Sequence, residues 1–199
     1  MRALARMEKT LRTLSAVVVF LALLIGKTQA QDVPRMELGA NYNYVRTNAP
    51  PGDCGCFSMN GGAGWFAFNF THSLSLVGEV GSVHASDIEA TTADLTLTSY
   101  LVGPRYSLKH VGPVTPFAQI LIGGAHASGD STTAGPALTQ SQNSFALTAG
   151  GGVDIRLTQH WALRAAQVDY YLTRFSNGVN DHQNNLRISA GIVLRFGGK

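Results

Sequence analysis

Past its first thirty residues the chain repeats one pattern eight times, a stretch in which apolar residues take every second position. In FALTAGGGVDIRL, Phe145, Leu147, Ala149, Gly151, Val153, Ile155 and Leu157 share one face, and Ala146, Thr148, Gly150, Gly152, Asp154 and Arg156 share the other. MELGANYNY sets Met36, Leu38, Ala40, Tyr42 and Tyr44 against Glu37, Gly39, Asn41 and Asn43. Near the end of the chain, ISAGIVLRF sets Ile188, Ala190, Ile192, Leu194 and Phe196 against Ser189, Gly191, Val193 and Arg195. A period of two is that of a β-strand, and a strand with unlike faces must meet unlike media. The spacing predicts strands over 35–46, 57–70, 74–85, 95–107, 115–127, 143–157, 161–175 and 185–196. It predicts no helix after residue 30. In WALRAAQVDYYLTRF, Arg164 and Gln167 have opposite parity, which predicts a β-bulge. In the second strand the pattern leaves open whether Trp65 or Phe66 points outward.

The connectors alternate in length. THS (71–73), LKHVGPV (108–114) and TQH (158–160) are short, whereas NAPPGDCGC, SDIEATTAD, SGDSTTAGPALTQSQN and SNGVNDHQN are long and polar. Eight antiparallel strands would gather the short turns at one end and the long loops at the other, the asymmetry of outer-membrane barrels. Aromatic residues fall near both ends: Phe70, Tyr106, Phe117, Trp161 and Phe196 by the short turns, and Tyr44, Phe145, Tyr171 and Phe175 by the long loops. Two aromatic belts at the lipid–water boundaries would give this distribution. The expected fold is therefore all-β, an eight-stranded antiparallel transmembrane β-barrel with its oily face on lipid and its polar face inside. Closure is required because hydrocarbon offers no partner to a free backbone N–H or C=O.

The first thirty residues read as a cleaved signal peptide. A basic segment (Arg2, Arg6, Lys9, Arg12) precedes the apolar run LSAVVVFLALLI and a stretch ending at Ala30. Twelve apolar residues fall short of the ~20 that a spanning helix needs. Residues 31–199 are then one barrel domain. The segment removed holds five of the 15 Lys+Arg and one of the 12 Asp+Glu, leaving 10 bases and 11 acids. The basic balance of the whole chain thus belongs to the signal, and nothing points to nucleic acid. Lys109 and Lys199 are the only lysines after residue 30, and Glu37, Glu79 and Glu89 the only glutamates. A soluble domain covers itself with such residues, so a water-soluble barrel is disfavoured.

The last strand resembles the carboxyl-terminal targeting signal of bacterial outer-membrane barrels, through Ser189, Gly191, Leu194 and Phe196. Beyond the aromatic residue where that signal normally stops, the chain adds Gly197, Gly198 and Lys199. More broadly, CFSMNGGAGWFAFNFT, YLVGPRYS, PFAQILIGGAHA and LRAAQVDYYLTRF resemble stretches of the small eight-stranded family typified by the transmembrane domain of outer-membrane protein A. The resemblance covers nearly all of residues 31–199. It implies a bacterial outer-membrane location, lipid as the surrounding partner, and the barrel-assembly machinery as partner during insertion. It carries over no catalytic motif.

Candidate functional residues follow from the inner face. Glu37, Glu79, Asp154 and Asp169, with Arg105, Arg156, Arg164, Arg187 and Arg195, are expected in the lumen as a charge network. Ionisable groups inside a membrane-embedded body pair with one another or line a water path. A narrow eight-stranded lumen favours pairing, hence a plugged and non-catalytic barrel, with a small-solute channel as the alternative and a lipid-modifying enzyme built on His84 with Ser82 or Ser86 a more remote one. Cys54 and Cys56, one residue apart in a long loop, are expected as a disulfide in the secreted context, with free thiols, inter-chain pairing and metal binding as alternatives. The six histidines lack any ligand spacing. No metal or cofactor is expected, and the loops leave a surface partner unspecified.

Overall fold

In the computed structural model the described residues are 34–47, 57–86, 93–108, 112–131, 138–175 and 182–197. The expected signal peptide and both cysteines, Cys54 and Cys56, lie outside them. Eight strands follow in order: β1 Met36–Arg46, β2 Ser58–Asn69, β3 Leu74–Ala85, β4 Ala93–Ser107, β5 Val114–Ser131, β6 Leu138–Arg156, β7 Trp161–Thr173 and β8 Gln183–Phe196. Each pairs antiparallel with the next, and β8 pairs with β1 from Met36↔Phe196 to Arg46↔Leu186, closing the barrel. Every strand therefore has two neighbours and no edge is left unpaired, as hydrocarbon demands.

The register has a fixed stagger. From Arg35, whose carbonyl accepts from the Asn69 N–H, paired residues lead through Ser75, Arg105, Gln119, Gly150, Asp169 and Arg187 to Val45, ten residues further along β1. Such a stagger tilts the strands and sets the barrel's width. It also carries Arg105, Gln119, Asp169 and Arg187 along one path on the inner face.

Two of the short turns use the same device. The Thr71 hydroxyl accepts from the N–H of Ser73 (3.2 Å) and Leu74 (2.9 Å), and the Thr158 hydroxyl from His160 (3.3 Å) and Trp161 (3.0 Å). A threonine at this position satisfies turn N–H groups that no strand can reach. In the third turn Gly112 takes a left-handed φ of 63°, where a side chain would be strained.

The bulge expected in β7 is present. Pairing with β8 slips between Arg164 and Gln167, and pairing with β6 slips between Val153 and Asp154. Ala165 and Ala166 both stay outside, so Arg164 and Gln167 both turn inward. Strands β5 and β6 run further than the pattern predicts, pairing as far as Ser131↔Leu138. The Ser- and Thr-bearing segments expected as loop continue the ladder, because their backbones find partners across the hairpin.

Candidate functional site: the inward-facing network

Alternation places the buried side chains on the inner face, and register decides which of them meet. Four inward pairs are direct cross-strand partners: Glu37 with Arg195, Arg105 with Gln119, Asp154 with Arg164, and Asp169 with Arg187. Arg164 holds Asp154 at both oxygens, Nε to Oδ1 at 2.9 Å and Nη2 to Oδ2 at 3.1 Å, and its Nη1 donates to Gln167 Oε1 at 2.9 Å. Gln167 passes the chain on by donating to Asp169 Oδ2 at 2.7 Å. Arg187 donates to the same oxygen from Nε (2.9 Å) and Nη2 (2.8 Å), and from Nη1 to Glu79 Oε1 at 2.5 Å. The last contact joins β8 to β3, strands that are not neighbours, and so crosses the lumen. Charge-assisted, two-pronged bonds of this kind fix both partners in one geometry.

Arg105 is held differently. Its Nε donates to Gln119 Oε1 at 3.0 Å, and its Nη1 stands 3.8 Å from Glu37 Oε2. Glu37 also faces Arg195 Nε at 3.3 Å. The Arg105 guanidinium lies 4.3 Å from the Trp65 ring and 4.8 Å from Phe117, and Arg164 lies 4.2 Å and 4.4 Å from the same two rings. Two cations thus share two aromatic faces, which attract them both. Both rings rest over glycines of a paired strand. A Cβ on Gly39 would come 2.1 Å from the Trp65 indole, and one on Gly152 would come 2.8 Å from Phe117. Trp65 also donates to Asn41 Oδ1 at 3.3 Å.

Of the nine charged residues expected inside, the structure brings eight into this assembly. Arg156 is the exception: its side chain is exposed at the last position of β6, where the strand has left the interior. The open parity of β2 resolves with Trp65 inside (2% exposed) and Phe66 outside (44%). Phe117 and Tyr171, expected in the aromatic belts, are instead buried on the inner face. Their parity matched the inward residues Gln119 and Asp169, and that was the signal the belt reading overlooked. In the terminal strand, Ser189 is buried on the inner face with Gly191 in the same parity, while Phe196 is exposed on the outer face, which Leu194 shares.

His84 and Ser82 sit on the outer face and bond elsewhere. His84 Nδ1 meets Thr96 Oγ1 at 3.0 Å, and Ser82 Oγ meets Thr98 Oγ1 at 3.3 Å. The two do not bond to each other, so the arrangement sketched for a lipid-modifying enzyme is not assembled by these side chains. Among the described residues no three His, Cys, Asp or Glu side chains converge as a metal site.

The model of the outer membrane protein beta-barrel domain matches residues 15–196 of the chain. Solved barrels share the fold. Neisserial surface protein A superposes with a TM-score of 0.60 at 15% identity, covering 81% of this chain and 97% of its own. OprG from Pseudomonas aeruginosa gives 0.59 at 13% identity, with 86% and 100% covered. Ail, the attachment invasion locus protein of Yersinia pestis, gives 0.52 at 15% identity, with 81% and 96% covered. Identities this low show the fold alone. No curated protein sequence matches the chain significantly.

Proposed function

The chain belongs to the outer-membrane β-barrel family and resides in the bacterial outer membrane, and from that premise we propose that it is a non-catalytic envelope protein whose lumen is closed to ions. The observation that carries the reading is the bridge from Asp154 through Arg164, Gln167, Asp169 and Arg187 to Glu79, which spans the interior with buried groups. Opening a path through it would strip charges of their partners in a confined space, and an uncompensated buried charge is costly. Eight strands leave room for side chains and little besides. The long connectors at the other end then carry whatever recognition the protein performs, since loops on a rigid scaffold are where binding residues collect. Lipid surrounds the outer face, and the assembly machinery meets the chain through the Ser189, Gly191, Leu194 and Phe196 pattern.

One observation favours the narrow-channel alternative: Glu79 Oε2 and Asp169 Oδ1 are buried without a hydrogen-bond partner, and acceptors of that kind suit a thread of water. Planar-bilayer recording separates the two. We expect the native protein to show no stable conductance steps, and Glu79→Ala or Arg164→Ala to introduce them. Large, stable steps from the native protein would overturn the closed-lumen reading.

A further inference from the structure

The network is balanced as a whole and unbalanced in its parts. Among the described inward-facing residues, the half nearer the short turns holds Arg105, Arg164 and Arg195 against Glu37 and Asp154, one cation in excess. The half above it holds Arg187 against Glu79 and Asp169, one anion in excess. Arg187 grips both of its carboxylates, and Arg164 grips Asp154 with two bonds. The surplus positive charge therefore falls on Arg105. Its nearest carboxylate, Glu37, is 3.8 Å away and is shared with Arg195.

Unused nitrogen donors gather on the cationic side. Arg105 Nη1 and Nη2 and Gln119 Nε2 are buried donors without a hydrogen-bond partner, and both residues are 2% exposed. The Arg105–Gln119 bond uses the oxygen of the amide, which leaves the amide N–H groups beside the guanidinium. Three idle donors and one surplus positive charge thus lie together at Arg105 and Gln119, against the Trp65 and Phe117 faces. Buried donors are satisfied in nearly all folded proteins, and a charged donor left idle is among the most costly groups to bury.

We propose that Arg105 and Gln119 bind a small inorganic monoanion of halide size inside the barrel. Water could take one of these donor bonds but would bring no charge to offset the surplus. An anion accepts from all three donors and neutralises Arg105, whose partner Arg164 on the shared Trp65 and Phe117 faces is itself cationic. Glu37 sets the size limit, because a bulky oxyanion would be pressed against its carboxylate. The bound ion is a resident of the folded barrel, so this inference stands whether or not the lumen conducts.

Two measurements on the full-length barrel in detergent micelles test it. At constant ionic strength, replacing gluconate by chloride should raise Tm along a saturating curve, since a ligand bound only to the folded state stabilises it by mass action. Gln119→Glu puts a carboxylate oxygen where the amide nitrogen stood and supplies the missing negative charge. It should raise Tm in gluconate above that of the native chain and abolish the chloride response. In crystals of the native protein soaked in sodium bromide, an anomalous peak should appear against Arg105 and Gln119. Equal Tm in chloride and gluconate, a chloride response that survives Gln119→Glu, or a bromide map without that peak would each overturn the site. The bromide experiment needs no variant and decides the matter even if Gln119→Glu does not fold.

Discussion

The two ends of the barrel wall are built on opposite plans. Toward the short turns of β3, Ser75 and Glu79 face in while Leu76 and Val80 face out; toward the long loop of the same strand, Val83 and Ala85 face in while Ser82 and His84 face out. Strand β4 reverses in the same way, from Arg105 inside and Tyr106 outside to Leu97 inside, with Thr96 and Thr98 in the outward parity. Val45 and Met59 extend the apolar interior into β1 and β2, opposite the exposed Arg46 and Asn60. What the difference teaches is that the medium outside dictates the face inside. Where hydrocarbon bathes the wall, burying an oily side chain in the lumen gains little, and the polar groups are best gathered within. Where water bathes it, the hydrophobic effect operates and the wall folds oily side inward, as a soluble barrel would. The reversal between Val80 and Ser82, and between Tyr100 and Thr98, marks the outer boundary of the lipid.

If the short-turn half is held by charge pairing and the loop half by apolar packing, substitutions in each should fail for different reasons. The largest loss is expected from Asp154→Ala. It removes both carboxylate oxygens that hold Arg164, leaving only the neutral Gln167 amide as acceptor, and keeps that cation beside Arg105 on the Trp65 and Phe117 faces. Breaking one side of a buried pair costs about 3–5 kcal/mol. Urea unfolding of the barrel in lipid vesicles would read it, and a loss near zero would mean that the network decorates the interior without holding it. Next in size is Leu97→Ala in the loop half, with a cost of roughly 2–5 kcal/mol from lost burial and the void left behind. Its value should fall below that of Asp154→Ala, since Leu97 lies near the rim and water can refill part of the space. An inverted order in the same assay would break the comparison.

How much of this was legible in the sequence differs between the two ends. The existence and order of the strands and the bulge at Arg164–Gln167 follow from parity, because a period of two survives any tertiary context, and closure follows from the lipid that the oily face must meet. Which charges meet does not follow, because pairs such as Asp154–Arg164 depend on register, and a register is fixed by strand stagger rather than by any one strand. Arg156 shares the inward parity, yet as the last residue of β6 it lies at the rim and its side chain is exposed. The apolar loop-end interior was readable and missed. In LSLVGEVGSVHA the outward parity carries Leu74, Leu76 and Val80 and then Ser82 and His84, while the inward parity ends on Val83 and Ala85; apart from the inward Val77, that inversion is the boundary itself. A rule of polar inside and oily outside, applied along the full strand, averages the inversion away. The open parity of Trp65 and the belt assignment of Phe117 share a related cause, since a large aromatic suits a belt as well as a lumen roofed by glycines such as Gly39 and Gly152.

The smallest effects probe the loop-end interior most sharply, through a pair of nearly isosteric exchanges in opposite directions. Val45 is 1% exposed among Met59 and other apolar side chains. Val45→Thr puts a hydroxyl among those apolar side chains, at a cost of about 1–3 kcal/mol. Thr148 is fully buried on the inner face of β6, between Leu121 and Tyr171 in the register, and its Oγ1 has no hydrogen-bond partner. Thr148→Val deletes that idle hydroxyl while keeping the β-branched shape, so stability should hold or rise by up to about 1 kcal/mol. Opposite signs in one unfolding assay would show that this part of the barrel is dry and packed. A loss of stability in Thr148→Val would mean that the hydroxyl is hydrated. The apolar interior would then begin nearer the rim than Thr148, and the division between the two plans would move toward the loops.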